Sequence, residues 1–372
     1  MMAQTTATAE PRPALKEIFN DAAFREIATH TTAIFPAFDQ HAFLSHCRKG
    51  LEELSLTARL RRITEALHET LPTDFPAALA VLRELAPRLE SGFGTLFLPD
   101  YVALHGERHF DLSMAALEYF TSFGSAEFAI RHFLKRDFER TLHVMRGWSE
   151  HASDHVRRLS SEGSRPLLPW AFRVDGLLAS PPPTSDILDR LRSDSSKYVR
   201  ISVANHLNDI AKSDPDWVID RFGLWGLKDP NSAWIARHGL RTLVKSGDRR
   251  ALALLGAGAE PLVTAGPLIL APAVANVGGS VRFALTLRST SQQIQHLIID
   301  YTVYYAKKSG KAFPKTFKLK ELDLKAGEVL TLSRKITLHD LTTRTHHPGM
   351  HRVVITANGA PIANAHFMLQ PA

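Results

Sequence analysis

The hydrophobic period changes once along this chain, near Ala259, and that change does most to limit its fold. From residue 15 to about 258, apolar residues recur at helical spacing, as in Ala77, Leu79, Leu82, Leu85 and Leu89. Ile187, Leu188 and Leu191 repeat the pattern. Such a stripe sets one face of a helix against a core. Breaks fall at clusters such as Pro181-Pro182-Pro183-Thr184-Ser185-Asp186, which predicts a loop leading to a helix cap. Beyond Ala259, the prolines 261, 267 and 272 predict a linker. Strands are then predicted at 281–287, 297–305, 315–319, 329–336 and 353–357, with a hairpin-type turn at Asn358-Gly359. The expected architecture is multidomain α and β. A disordered tail covers 1–14, an all-α HEAT-like solenoid 15–258, a linker 259–273, and a small immunoglobulin-like sandwich 274–372.

The solenoid expectation rests on a faint internal repeat. Val156, Val199 and Ile235 each sit near the start of an apolar-periodic stretch, 43 and then 36 residues apart. Leu207 and Leu243 share the 36-residue offset. A period near 40 is that of paired-helix arrays, in which each repeat buries a face against its neighbours. An ordinary helical bundle with coincidental similarity is the alternative.

Charge and cysteine content narrow the function classes. The net charge of +7 is unevenly placed: residues 261–372 carry +8 and the remainder −1. A basic excess confined to one region suits a polyanionic partner. The single cysteine, Cys47, forms no internal disulfide, fits a reducing cytosol and makes a thiolate-held zinc improbable. No apolar run approaches 18 residues, so no membrane span is expected. The pair His105 and His109 lacks the glutamate a zincin needs, and Gly92/Gly94 and Gly256/Gly258 lack a phosphate-loop context. No metal and no cofactor is expected.

Three segments concentrate chemistry. Residues 148–170 hold two tryptophans, the acids Glu150, Asp154 and Glu162, and the arginines Arg157, Arg158 and Arg165. Acids beside arginines beside aromatics suit a groove that handles a cationic or polyanionic ligand, or an ion-pair network between repeats with the rings as core. Asp154 alternatively serves as an N-terminal charge for the helix bearing Val156. The second segment holds Lys197, Arg200, Asn205, Asn208 and Asp209; Asn205 and Asp209 share a helix face. In the third, Arg237, Arg241 and Lys245 at i, i+4 and i+8 form a stripe able to track a phosphate backbone, or merely a solvated face.

Taken in order, SAEFAIRHFL (125–134), EHASDHVRRLSSEGSRPLLPWA, VRISVANHLNDIAK and WIARHGLRTLVKSGD resemble the AlkC-type alkyl-DNA glycosylases. These are HEAT-like repeat enzymes of bacterial DNA repair, some with a C-terminal immunoglobulin-like domain. The resemblance covers most of residues 15–250. It implies excision of cationic alkylated bases such as 3-methyladenine and 3-methylcytosine from duplex DNA, without full base extrusion. It further implies a cytoplasmic, nucleoid-associated enzyme acting as a monomer, with Glu127, Glu162, Trp170 and Asp209 lining the lesion site. Those residue types fit: carboxylates stabilise an oxocarbenium-like state, and a cationic base leaves without a general acid. Arg157, Arg158, Lys197, Arg200, Arg237, Arg241 and Lys245 are the expected DNA contacts of the helical part. Lys307, Lys308, Lys311, Lys315, Lys318 and Lys320 are those of the sandwich, with Lys318 and Lys320 expected on one strand face. A non-catalytic DNA-binding array and a protein–protein scaffold are the competing readings.

Overall fold

A computed structural model describes residues 14–308, 311–340 and 345–371. The expected tail and the loop at Ser309-Gly310 fall on or beside undescribed residues. The chain divides into two compact units, Met1–His206 and Leu207–Ala372. Among the described residues, no helix is long and apolar enough to cross a membrane.

The first unit is helical: α1 (Asp21–Ile34), α2 (Gln40–Arg48), α3 (Leu56–Thr70), α4 (Phe75–Leu85), α5 (Phe97–His105), α6 (Phe110–Phe120), α7 (Ile130–Arg136), α8 (Phe138–Trp148), α9 (Asp154–Glu162), α10 (Ser185–Leu191) and most of α11 (Lys197–Ile210). Sequence sets these boundaries locally. Asn20, Asp39, Ser55, Asp74 and Asp137 each accept the backbone N–H three residues on, at the starts of α1, α2, α3, α4 and α8. The predicted stripe buries Leu79, Leu82 and Leu85 on α4; Ala77 is exposed with Ala78 in the inner position, and Leu89 lies half-buried beyond the helix end. Successive helices pack as neighbours, α1 on α2, α2 on α3, α7 on α8 and α8 on α9, as in a paired-helix array. The expected cap before α10 is different in kind. Thr184 makes no capping bond; its hydroxyl lies 3.1 Å from Nε2 of the buried His206.

Among the described residues the second unit holds α12 (Pro215–Trp225), α13 (Pro230–Gly239), α14 (Arg241–Ser246), α15 (Arg249–Leu254) and nine strands. Val156 and Val199 are third in α9 and α11, but Ile235 is sixth in α13, because Pro230 starts that helix early. A four-stranded sheet contains β1 (Val263–Ala265), β2 (Ile269–Ala271), β4 (Ser280–Ser289) and β7 (Val329–Thr337); β1, β2 and β7 all pair with β4. The five-stranded sheet runs β3-β9-β8-β5-β6, with β3 (Val274–Asn276), β5 (Gln295–Ala306), β6 (Ala312–Leu324), β8 (Gly349–Ala357) and β9 (Ala360–Gln370). Val281, Phe283, Leu285 and Leu287 of one sheet share a core with Leu297, Ile299, Val303, Val353 and Phe367 of the other. Each predicted strand has its counterpart here. The segment expected as a linker is itself paired: β1 and β2 bond to β4, leaving the prolines at their margins. The turn between β8 and β9 is as expected, with Asn358 at φ 46° and Gly359 at φ 78°.

Helices and sandwich are joined within this unit. Leu252, Ala257 and Ile298 form a buried cluster with Val244 and Leu255. Asn358 adds polar ties: its Oδ1 accepts from the Ile298 N–H, and its Nδ2 donates to the carbonyls of Ala259 and His296. A Cβ at Gly359 would lie 2.9 Å from the Cα of Gly247, so the two turns meet backbone to backbone.

Candidate active site

The site is built around the end of α9 and the turn that follows it. Ser160, Ser161 and Glu162 are buried, and at Gly163 the chain passes so near Ile130 that a Cβ would come within 2.5 Å of its Cγ2. The segment beyond is held by Arg131 of α7, which is 1% exposed. Its guanidinium donates to the carbonyls of Gly163 (3.1 Å), Arg165 (2.8 Å) and Phe172 (2.8 and 3.1 Å). A buried cation that satisfies three carbonyls fixes the path of the loop between them.

That path ends in an unusual residue. Ala171 N–H bonds the Leu168 carbonyl, closing a turn with Pro169 first and Trp170 second. Trp170 has φ 65°, the sign a type II turn demands and glycine normally supplies. A bulky residue there is strained, by roughly 1–3 kcal/mol. The indole nevertheless stands 73% exposed, whereas Trp148 at the other end of the segment is buried and donates Nε1–H to Glu118. A strained, exposed tryptophan gives nothing to the core.

Trp170 borders an open cleft of about 380 Å³. Phe93, Ser125, Glu127, His155 and Tyr198 also line it. Arg158 ties three of these lining residues to Glu162. The guanidinium reaches Glu127 at 3.0 Å, Glu162 at 3.7 Å and the Ser125 hydroxyl, and lies 5.0 Å from the Tyr198 ring centroid. Glu162 takes a second arginine, Arg165, at 2.7 Å. Burial opposes the charge of Arg158, but Glu127 and Glu162 outweigh it and raise its pKa. Burial likewise raises that of Tyr198. The result is a pair of nearly buried carboxylates bridged by Arg158, with Arg165 as a second cation on Glu162. Such groups meet developing positive charge without reorganising.

The other sequence candidates are distributed unevenly. Asp209, in the second unit, is 2% exposed and pairs with Lys212 at 3.1 Å. Arg157 and Arg158, expected as DNA contacts, are committed internally. Arg157 grips Asp194 with two bonds (2.7 and 3.1 Å) and donates to the carbonyls of His151 and Ala152. Asp154 is the first residue of α9 and accepts from the Ser196 hydroxyl, so the N-terminal-charge alternative fits it. Arg200 is half-buried and donates to the carbonyls of Asp194 and Ser195; Lys197 is exposed. The stripe Arg237–Arg241–Lys245 does not lie on one helix, because the chain breaks at Leu240 between α13 and α14. Arg237 meets Glu321 at 3.1 Å, Arg241 donates to the His238 carbonyl, and Lys245 is exposed.

In the sandwich, Lys307, Lys308, Lys311, Lys315 and Lys320 are exposed. Lys318 and Lys320 are not on one face. A register shift in β6 pairs Lys318 with Asp300 and Lys320 with Ile299, on opposite faces of β5. The same shift brings Lys318 and Glu321 together as an ion pair. His105 stacks on His68 at 3.7 Å and His109 on Phe75 at 5.3 Å. Among the described residues no three His, Cys, Asp or Glu are grouped to hold a metal ion. Sequence reasoning missed Phe93, Ser125, His155 and Arg131, though Ser125 and Arg131 lie within the SAEFAIRHFL stretch.

Three similarities bear on this geometry. Residues 265–371 match the family model described as "Uncharacterised protein YhaZ, C-terminal Ig-like domain". Over 346 residues the chain is 39% identical to "Uncharacterized protein YhaZ" of Bacillus subtilis (strain 168), spanning 93% of this chain and 96% of the relative. The solved structure of Pseudomonas fluorescens alkylpurine DNA glycosylase AlkC, bound to DNA containing an abasic site analog, is 51% identical. It superposes with a TM-score of 0.94, over 96% of this chain and 100% of that one.

Proposed function

Because this chain belongs to the AlkC-type alkyl-DNA glycosylase family, we propose that it hydrolyses the N-glycosidic bond of cationic alkylated bases in duplex DNA. The substrates proposed are 3-methyladenine and 3-methylcytosine. The observation that carries the reading is the pairing of Glu127 and Glu162 by Arg158 at a cleft bordered by the exposed Trp170. Bond cleavage builds positive charge on the sugar, and fixed carboxylates stabilise it and orient a water. The departing base is already cationic, so no proton donor is needed. Trp170 offers an aromatic face to that cation, worth about 2 kcal/mol when desolvated. The open cleft suits a lesion engaged without full extrusion from the stack. Asp209 is proposed to act as a further carboxylate in the reaction.

Lys197 and the exposed lysines 307, 308, 311, 315 and 320 are proposed to contact phosphates, which would give affinity without sequence preference. The test is incubation with alkylated duplex and chromatography of the released bases. Release of 3-methyladenine or 3-methylcytosine is expected. Tight, salt-sensitive binding with no base released would replace this reading with the non-catalytic one.

A further inference from the structure

A second cleft, of about 200 Å³, shares Phe93, Leu96, Phe128 and Trp170 with the first, and adds Asp100, His132 and Phe172. From this arrangement we infer that the second cleft is a nucleobase-binding subsite, its ligand class following from the glycosylase reading above. Its walls are aromatic. Phe172 is 39% exposed, with the His132 ring edge-on at 5.1 Å and Lys135 Nζ 5.6 Å from its centroid. Its polar end is a carboxylate. Asp100 accepts from Arg61 at 3.0 Å and from the Thr64 hydroxyl at 2.8 Å, and its side chain is 15% exposed.

Each feature selects against other ligands. Arg61 is already engaged by Asp100, and an acid at the polar end repels phosphate. A cavity this small lies below the range for extended organic ligands and suits a single heterocycle. Burial raises the pKa of Asp100 and lowers that of His132, which favours a neutral imidazole with one ring N–H and one acceptor nitrogen. Planar faces, an acceptor carboxylate and a neutral imidazole together match a base with an exocyclic amine. The occupant is either the excised base or a base of the DNA beside the lesion; the chemistry is the same.

Full-length protein is titrated with free 3-methyladenine and with adenine, read by saturation-transfer NMR and tryptophan fluorescence. Saturable binding is expected, weakened about tenfold by Phe172→Ala and by Asp100→Asn. Phe172→Ala keeps the backbone carbonyl that Arg131 holds, and each variant is checked by thermal melt so that the other stands if one fails to fold. A second arm places 2-aminopurine next to an abasic site in duplex DNA. Fluorescence changes lost in Phe172→Ala identify a DNA base as the occupant; free-base binding alone identifies the excised one. Glu162→Gln separates the two proposals, since it is expected to lower excision by about 10²-fold and leave free-base binding intact. Neither probe binding, or both binding unchanged in both variants, overturns the subsite while leaving the glycosylase reading to its own assay.

Discussion

The first cleft and the lysine-bearing surface of the sandwich handle charge in opposite ways. Around the first cleft, Arg131, Arg158, Glu127 and Glu162 are largely buried, and their partners fix them to within hydrogen-bond distances. On the sandwich, Lys307, Lys308, Lys311, Lys315 and Lys320 are exposed. Buried charges cost desolvation and earn their place only through geometry, whereas exposed lysines add field at little cost and are screened by salt. The first arrangement suits chemistry and the second suits affinity.

Substitutions should separate the two. Glu127→Gln and Glu162→Gln should each lower single-turnover excision by about 10²-fold, with little change in binding at a fixed salt concentration. Equal losses of rate and affinity would mean that these acids organise the protein and do not act on the sugar. On the sandwich, neutralising Lys307, Lys308, Lys311 and Lys315 together should leave the excision rate at saturation in place. It should flatten log affinity against log salt by roughly one unit per lost phosphate contact. An unchanged slope would assign those lysines to water alone.

Trp170 lies between these extremes, exposed like the lysines but belonging to the cleft. Trp170→Gly removes the ring and supplies a residue at ease with φ 65°. Excision should fall about tenfold while the melting midpoint holds or rises, by an equivalent of about 1 kcal/mol. A loss of 3–5 kcal/mol would return the ring to a packing role.

The last contrast is in pH dependence, and its sign differs between His206 and Asp300. Burial drives the His206 pKa down to about 3, so the fold favours its neutral form. Its stabilisation is present above the unfolded value near 6.5 and is lost as pH falls from there toward 3. Burial drives Asp300 up to about 6, with Lys245 and Lys318 opposing. The fold therefore favours its protonated form, and stability is lost as pH rises from about 4 to 6. Hydrogen exchange by peptide should show α11 around His206 loosening on acidification while β5 tightens. His206→Gln and Asp300→Asn should each abolish one trend, and parallel trends would contradict both assignments.

How much of this was legible in the sequence depended on the range of the interaction. The change of period and the Asn358-Gly359 turn are local, and each was readable from neighbours in the chain, whereas the cap expected before α10 makes no capping bond. Strands β1 and β2 were not, because three-residue segments hold together only through β4. The shift that parts Lys318 from Lys320 lies in one unpaired residue of β6, which composition does not mark. Glu127, Glu162 and Trp170 came from a resemblance, and their residue types agreed with it. That Arg158 bridges the two acids needed the packing of residues 31 apart in sequence. Arg131 was hidden for the same reason: nothing local says that a guanidinium on α7 holds carbonyls 32, 34 and 41 residues on.

The meeting of Gly247 and Gly359 has a consequence for how such a sandwich is mounted. Two turns that touch with no side chain between them leave no shim to adjust, so within this unit the sheet takes its heading from the terminal helices. A methyl group at either turn would act as a wedge in a dovetail, and either the joint opens or the heading changes.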